Sequence, residues 1–280
     1  MPSNAVGSNA PIGVFDSGVG GLTVVKEIMN QIPGESICYF GDTARVPYGS
    51  KSKATIIGYT RQIVHFLMGK GVKAIVIACN TASAFALETV SKEIDIPIIG
   101  VIKAGASMAA NTTKNGRIGV IATEGTIRSK IYNEYLSATN PDVQVFGKAC
   151  PLFVPLVEEG WLDDPITYEV AKRYISELKE YDIDTLVLGC THYPLLRNTL
   201  KQVVGEEVSL VNPALETAKS LKQLLMEQGL MNNSTNPEHK FFVSDGAEKF
   251  RDFANSILPC DIVETKDVNI EQLSEELKRV

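Results

Sequence analysis

At 280 residues the chain is long enough for one large or two medium domains, each with its own core. An apolar share of 44% and a charged share of 21% are ordinary for a globular protein, and no apolar run approaches the length that spans a membrane. A net charge of −6, with no basic run to offset it, argues against a general affinity for nucleic acid.

Residues 1–10, MPSNAVGSNA, are small and polar without the blocks of a signal peptide, and read as a flexible leader. Residues 11–15 read as a first strand, followed by the turn Asp16-Ser17-Gly18-Val19-Gly20-Gly21. Helical spacing over 22–31 puts Leu22, Val25, Ile28 and Met29 on one face. A second strand over 36–40 is closed by Gly41-Asp42-Thr43, and 45–53 is a loop containing Pro47-Tyr48-Gly49-Ser50. An amphipathic helix over 54–70 stops at Gly71.

The unbroken apolar run from Ala74 to Ala78 fits a strand buried on both faces, as in a parallel sheet. Asn80, Thr81 and Ser83 fit the start of a helix that continues over 82–94, because their side chains accept its unpaired N–H groups. Cys79 therefore stands where a buried strand ends and a helix begins, the edge at which open α/β sheets bind ligands. The positive helix end there is expected to favour thiolate. A strand over 96–102 completes this first unit.

A second unit opens near Ala104, with strands over 117–122, 143–148, 185–189 and 208–211 and helices near 127–137, 167–181 and 195–204. A helix over 212–229, a polar loop over 231–239, a strand over 241–243, a helix over 247–257 and a strand over 262–265 follow, and these are expected to return to the first unit. The expected fold class is α/β: two pseudo-symmetric domains with mainly parallel central sheets and a cleft between them, spanning 11–103 with 212–280, and 104–211.

The two units echo one another. Thr185–Gly189 is followed by Cys190, Thr191 and His192, as the apolar run before Cys79 is followed by Asn80 and Thr81. Ile12-Gly13-Val14-Phe15-Asp16-Ser17 is matched by Ile118-Gly119-Val120-Ile121-Ala122-Thr123, and Ile37-Cys38-Tyr39-Phe40-Gly41 by Val143-Gln144-Val145-Phe146-Gly147. Three echoes in one order at nearly one offset point to a duplicated α/β unit. Two such units face to face would set two cysteines across one cleft.

The cysteine count is five, odd, with no C-x-x-C pair, which fits a reducing cytoplasm better than a disulfide framework. Cys38, Cys150 and Cys260 read as small buried hydrophobes. Zinc is disfavoured, because Cys190 and His192 are too close for the usual ligand spacing and no second pair accompanies them. The turn at Asp16 fits a phosphate loop poorly, because Thr23 stands where G-x-G-x-x-G needs its last glycine and Asp16 would repel phosphate; a flexible turn presenting Asp16 and Ser17 to a small ligand fits better. Gly20 and Gly21 also fit a tight turn that needs only glycine. His65 and His239 read as structural or solvated, which leaves His192. Two facing thiols suit proton transfer at a carbon acid, one removing a proton from one face and the other returning one to the opposite face. A cysteine hydrolase would leave the second thiol unexplained.

The motifs DSGVGGL at 16–22, GDTARVPYGS at 41–50, ACNTASA at 78–84 and GCTHYPLL at 189–196, with ATEGT at 122–126 and PLVEEG at 155–160, together resemble the glutamate racemases of the cofactor-independent aspartate/glutamate racemase superfamily. The sequence departs from that pattern at Lys103-Ala104-Gly105, where many members carry a Glu-Pro-Gly turn. The resemblance implies interconversion of L- and D-glutamate without a cofactor, supplying D-glutamate for peptidoglycan. It implies Cys79 and Cys190 as the acid/base pair, Asp16 assisting Cys79 and His192 assisting Cys190, with Asp42 and Glu158 as supporting acids. It implies substrate contacts from Asp16, Ser17, Pro47, Tyr48, Gly49, Asn80, Thr81, Thr123, Thr191 and His192. Homodimers, and in some members activation by a cell-wall precursor, are further implications; no metal, nucleic-acid or membrane partner is expected. Aspartate as the substrate, and a binding or regulatory protein that keeps the cleft without turnover, are the alternatives.

Overall fold

The computed structural model describes residues 7–262 and 264–270. Its first half runs β1 (Ile12–Asp16), α1 (Leu22–Gln31), β2 (Ile37–Gly41), α2 (Lys53–Gly69), β3 (Ala74–Ile77), α3 (Asn80–Val90), β4 (Ile98–Gly100) and α4 (Val101–Thr112). Then come β5 (Arg117–Ala122), α5 (Glu124–Ser129), α6 (Ile131–Thr139), β6 (Gln144–Ala149), α7 (Phe153–Glu158), α8 (Pro165–Lys179), β7 (Thr185–Gly189), α9 (Arg197–Val204) and β8 (Ser209–Val211). The last described elements are α10 (Pro213–Glu227), β9 (His239–Val243), α11 (Ala247–Ile257) and β10 (Thr265–Asp267).

Two wholly parallel sheets result, one ordered β10-β9-β2-β1-β3-β4 and the other β6-β5-β7-β8. The order 2-1-3-4 of the first sheet recurs as 6-5-7-8 in the second, so the sequence echoes are a repeated topology. Cys79 follows β3 and Cys190 follows β7, its counterpart. Every residue of β1, β2, β3 and β7 is buried, which is why these strands read as continuous apolar runs rather than alternating ones. Burying each Val, Ile or Leu there contributes about 1.5–3 kcal/mol. The first sheet takes its last two strands from beyond residue 212, where β9 pairs with β2.

Local chemistry sets the helix ends. Ser52 caps α2 by accepting the Thr55 N–H, Asp164 caps α8 through Ile166, and Asn212 caps α10 through Ala214, the last two with proline at the first helical position. Gly71, just past α2, has the left-handed φ of +72° that only glycine adopts freely.

Several expectations need correction. The strand over 96–102 is only three residues long, and the chain enters α4 at Val101, so Lys103-Ala104-Gly105 lies in a helix rather than a turn. α4 is rich in Ala and Gly, which weakens its apolar periodicity. The small residues have a packing reason, since a Cβ on Gly105 would lie 2.8 Å from Pro213 at the start of α10. The helix over 127–137 is two helices, separated by Lys130 in a left-handed conformation with φ of 57°. α7 was not foreseen, and the loop after Asp42 contains 3-10 turns at Thr43–Arg45 and Tyr48–Ser50. His239 opens β9 instead of lying in the polar loop, and Cys260 is exposed. The last strand begins at Thr265; Val263 of the expected strand, residues 1–6 of the expected leader and residues 271–280 lie outside the described residues. Among the described residues no helix is long and apolar enough to cross a membrane.

Candidate active site

Four strand ends converge on the site. β1 delivers Asp16 and Ser17, β3 delivers Cys79 and Asn80, β5 delivers Thr123, and β7 delivers Cys190, Thr191 and His192. The turn after β1 must come very close to the turn after β7. A Cβ on Gly20 would lie 2.4 Å from Thr191 Oγ1 and 2.5 Å from His192 Nδ1, and one on Gly21 would lie 2.4 Å from Asp16 Cβ. Neither glycine is among those with positive φ, so close approach, and not turn conformation, is what requires them.

Cys79 is 5% exposed, with its Sγ 3.7 Å from Ser17 Oγ. Burial, then the charge of Asp16, pushes its thiol up to about 12, against the pull of the Ala82 N–H at the start of α3 and of Ser17. The helix end therefore does act on this sulfur as expected, but desolvation outweighs it and Cys79 rests as the thiol.

On the other side, Cys190 Sγ lies 3.8 Å from His192 Nδ1, and His192 Nε2 lies 3.0 Å from Glu158 Oε1 at the end of α7. Burial alone would lower the imidazole pKa. Hydrogen bonds to Cys190 and Glu158, with the charges of Cys190 and Asp16, outweigh it and raise His192 to about 10. One ring nitrogen faces the sulfur and the other faces the carboxylate, and both neighbours favour the protonated ring.

Asp16 is fully buried at the end of β1. Its Oδ2 accepts the Gly18 N–H at 3.1 Å and its Oδ1 accepts the Thr191 hydroxyl at 3.3 Å. Burial raises its pKa, opposed by His192, the Gly18 and Gly21 N–H groups and Thr191. Asp16 therefore acts on Cys79 through its charge, while its hydrogen bond from another side chain comes from Thr191, the residue after Cys190.

A small cavity is lined by Cys79 and Cys190 together with Ser17, Pro47, Tyr48, Gly49, Asn80, Thr81, Thr123, Thr191 and His192. Every expected substrate contact except Asp16 is on that wall. The Thr81 and Thr123 hydroxyls on that wall are hydrogen-bonded at 2.8 Å, and a Cβ on Gly49 would lie 2.6 Å from Thr123 Cβ. The Val46–Pro47 peptide is cis.

The two supporting acids differ. Glu158 stands behind His192 and lines neighbouring clefts rather than this cavity. Asp42 does not face the cavity: its Oδ2 accepts Arg45 Nε at 2.7 Å and the Tyr48 hydroxyl, and its Oδ1 accepts Ser244 Oγ at 2.9 Å. It pins the loop that presents Pro47, Tyr48 and Gly49. Sequence reasoning missed Val46 and Val154 on the cavity wall, and Thr126 and Tyr132 behind it. Buried apolar and aromatic residues on helices look the same in sequence whether they face a core or a site.

The arrangement sets two sulfurs at equivalent strand ends against one small cavity, with hydroxyl and amide groups between them suited to holding carboxylates. The Asp/Glu/hydantoin racemase family model matches residues 12–221. The chain is 49% identical over 261 residues to the glutamate racemase of Geobacter metallireducens, covering 93% of this chain and 97% of that one. Glutamate racemase isoform RacE1 of Bacillus anthracis superposes with a TM-score of 0.91 at 41% identity, over 94% of this chain and 98% of that one. The Francisella tularensis glutamate racemase in complex with D-glutamate gives 0.89 at 43% identity, over 95% and 99%. The Escherichia coli glutamate racemase in complex with L-glutamate and the activator UDP-MurNAc-Ala gives 0.77 at 30% identity, over 92% and 97%.

Proposed function

This chain belongs to the Asp/Glu/hydantoin racemase family, and we propose that it interconverts L- and D-glutamate by moving the α-proton between Cys79 and Cys190. The observation that carries this reading is that both cysteines, at topologically equivalent strand ends, line one cavity. One thiolate takes the α-proton from one face of glutamate, and the opposite thiol gives a proton to the other face of the carbanion. In the reverse direction the two sulfurs exchange roles. Two acid/base groups suffice for this step, so no cofactor is assigned.

The two sides of the site divide the work. Cys79, held as a thiol by burial and by Asp16, is ready to donate. His192 stands where its Nδ1–H donates to Cys190 Sγ when that sulfur carries charge, with Glu158 holding the ring from behind. The α-ammonium of an entering substrate adds a cation to a dry site, which favours carboxylate and thiolate there. Thr81, Thr123 and Asn80 offer donors to the two carboxylates, Thr191 stays bound to Asp16, and Asp42 holds the Tyr48 loop in place.

The same reading places the enzyme in the cytoplasm, where free thiols stay reduced, and makes its product a D-glutamate supply for peptidoglycan. It divides the chain into 11–103 with 212–280, and 104–211, a division supported by the separate sheets. It extends to a homodimer and to activation by a cell-wall precursor of the kind bound to the Escherichia coli relative.

Incubation with L-glutamate in deuterated buffer, without added cofactor, tests the activity. Loss of circular dichroism with α-deuteration, abolished in both Cys79→Ala and Cys190→Ala, is expected. Exchange with aspartate but not glutamate would move the substrate. Exchange with neither, cell-wall precursors included, would overturn the enzymatic reading.

A further inference from the structure

Tyr132, on α6, touches both cysteine-bearing turns without lining the cavity between them. Its hydroxyl donates to Asn80 Oδ1 at 2.8 Å, and Asn80 is the residue after Cys79. Its ring lies against the residue before Cys190, because a Cβ on Gly189 would be 3.2 Å from Tyr132 Cε2. Tyr132 is only 3% exposed.

The hydrogen-bond inventory of this pair has one good solution. A buried phenol must place its proton, and Asn80 Oδ1 is the acceptor that the structure gives it. Burial first, and the nearby Cys190 charge second, push the phenol upward, so it keeps that proton as a donor. With Oδ1 committed to Tyr132, the Asn80 amide presents Nδ2, which carries only donors. Asn80 lines the cavity, and its Nδ2 is not among the described side-chain atoms that are buried without a partner. A flipped amide would turn an acceptor towards an anionic substrate and strand the tyrosine proton.

We propose that Tyr132 is a positioning residue of the racemase: its hydroxyl sets Asn80 to donate into the cavity towards a substrate carboxylate, while its ring seats the turn that carries Cys190. The inference rests on the glutamate reading above. It predicts that one buried hydroxyl, absent from the cavity wall, controls substrate binding more than the proton transfer.

Tyr132→Phe keeps the ring and removes the donor. Enantiomers have equal free energy, so kcat/KM must fall equally for L- and D-glutamate, and the informative quantity is how that fall divides between KM and kcat. We expect KM to rise about tenfold in both directions, the scale of one hydrogen bond to a charged group, with kcat changed less than about threefold. Adding Tyr132→Phe to Asn80→Ala should then cause no further loss. An unchanged KM, a loss confined to kcat, or independent effects in the double variant would overturn the proposal. If Tyr132→Phe does not fold, a crystal structure of the unaltered chain with D-glutamate decides: the Asn80 amide belongs within hydrogen-bond distance of a ligand carboxylate, and an amide out of reach overturns the assignment. An unaltered protein with no racemase activity would instead sink the underlying reading.

Discussion

Gly20 and His192 approach so closely that a single added methyl on the glycine would stand 2.5 Å from the imidazole Nδ1, the nitrogen that faces Cys190. The same methyl would lie 2.4 Å from Thr191 Oγ1, whose hydroxyl binds Asp16. Neither neighbour is the far end of a flexible chain, so Gly20→Ala must displace the ring or the turn. A misplacement of roughly 1 Å in a positioning group costs about a hundredfold. Gly20→Ala should therefore lower kcat/KM by about two orders of magnitude while leaving far-ultraviolet circular dichroism unchanged. Activity close to that of the unaltered chain would show that the turns after β1 and β7 are not held together as described.

Asp42 and Glu158 should separate in kinetics. Asp42 is fully buried and holds Arg45, Tyr48 and Ser244, so Asp42→Asn leaves a partly buried guanidinium facing a neutral amide and loosens the Tyr48 loop. Its expected signature is a lower melting temperature together with a higher KM. Glu158 is partly exposed and touches His192 alone among its described hydrogen bonds, so Glu158→Gln should keep stability nearly unchanged and lower kcat. Melting curves and steady-state rates on both variants check this, and the reverse pattern would exchange the two roles.

The strand ends were the legible part of this protein. Runs such as Ala74–Ile77 and Thr185–Gly189 are buried on both faces, so the chain spells them as unbroken apolar blocks, and the polar residues after each block fall into the site. What was hidden depends on distances across the sequence. Nothing local marks Tyr132 as the partner of Asn80, or α4 as a helix, because its Ala and Gly content is set by contact with α10. The protonation of Cys79 was hidden for a similar reason: a helix start is written in the local residues, whereas desolvation is the sum of everything packed around the sulfur.

Stability should fall as the solution becomes alkaline. His192 is raised to about 10 in the folded protein from 6.5, so the native state holds a proton that the unfolded chain has lost between those values. That stabilisation is complete below about pH 6.5 and disappears as pH rises through the folded value. Cys79, raised to about 12 from 9.0, extends the decline in the same direction at higher pH. Melting temperatures between pH 6 and 10 should fall monotonically from this source, and His192→Gln should flatten the decline over that range. An equally steep profile in the variant would place the titrating groups elsewhere.

Glu35 and Lys73 form an ion pair at 2.5 Å with both side chains wholly buried, far from the cavity. Lys73 Nζ also donates to the Ser8 and Leu230 carbonyls, and Glu35 Oε1 accepts the Asn232 N–H. The pair thus ties the segment before β1 and the segment after α10 to the first sheet. Removing one partner strands the other charge in a dry site, so Glu35→Ala should destabilise by about 3–5 kcal/mol. Replacing both with Glu35→Leu and Lys73→Met removes the stranded charge and should recover much of that loss, though the carbonyls at Ser8 and Leu230 lose their donor. Denaturant melts on the two variants test the argument, with kcat/KM of the folded fraction expected to stay unchanged. A double variant no more stable than Glu35→Ala would mean that the hydrogen bonds to Ser8, Leu230 and Asn232, and not the charge pairing, hold these segments in place.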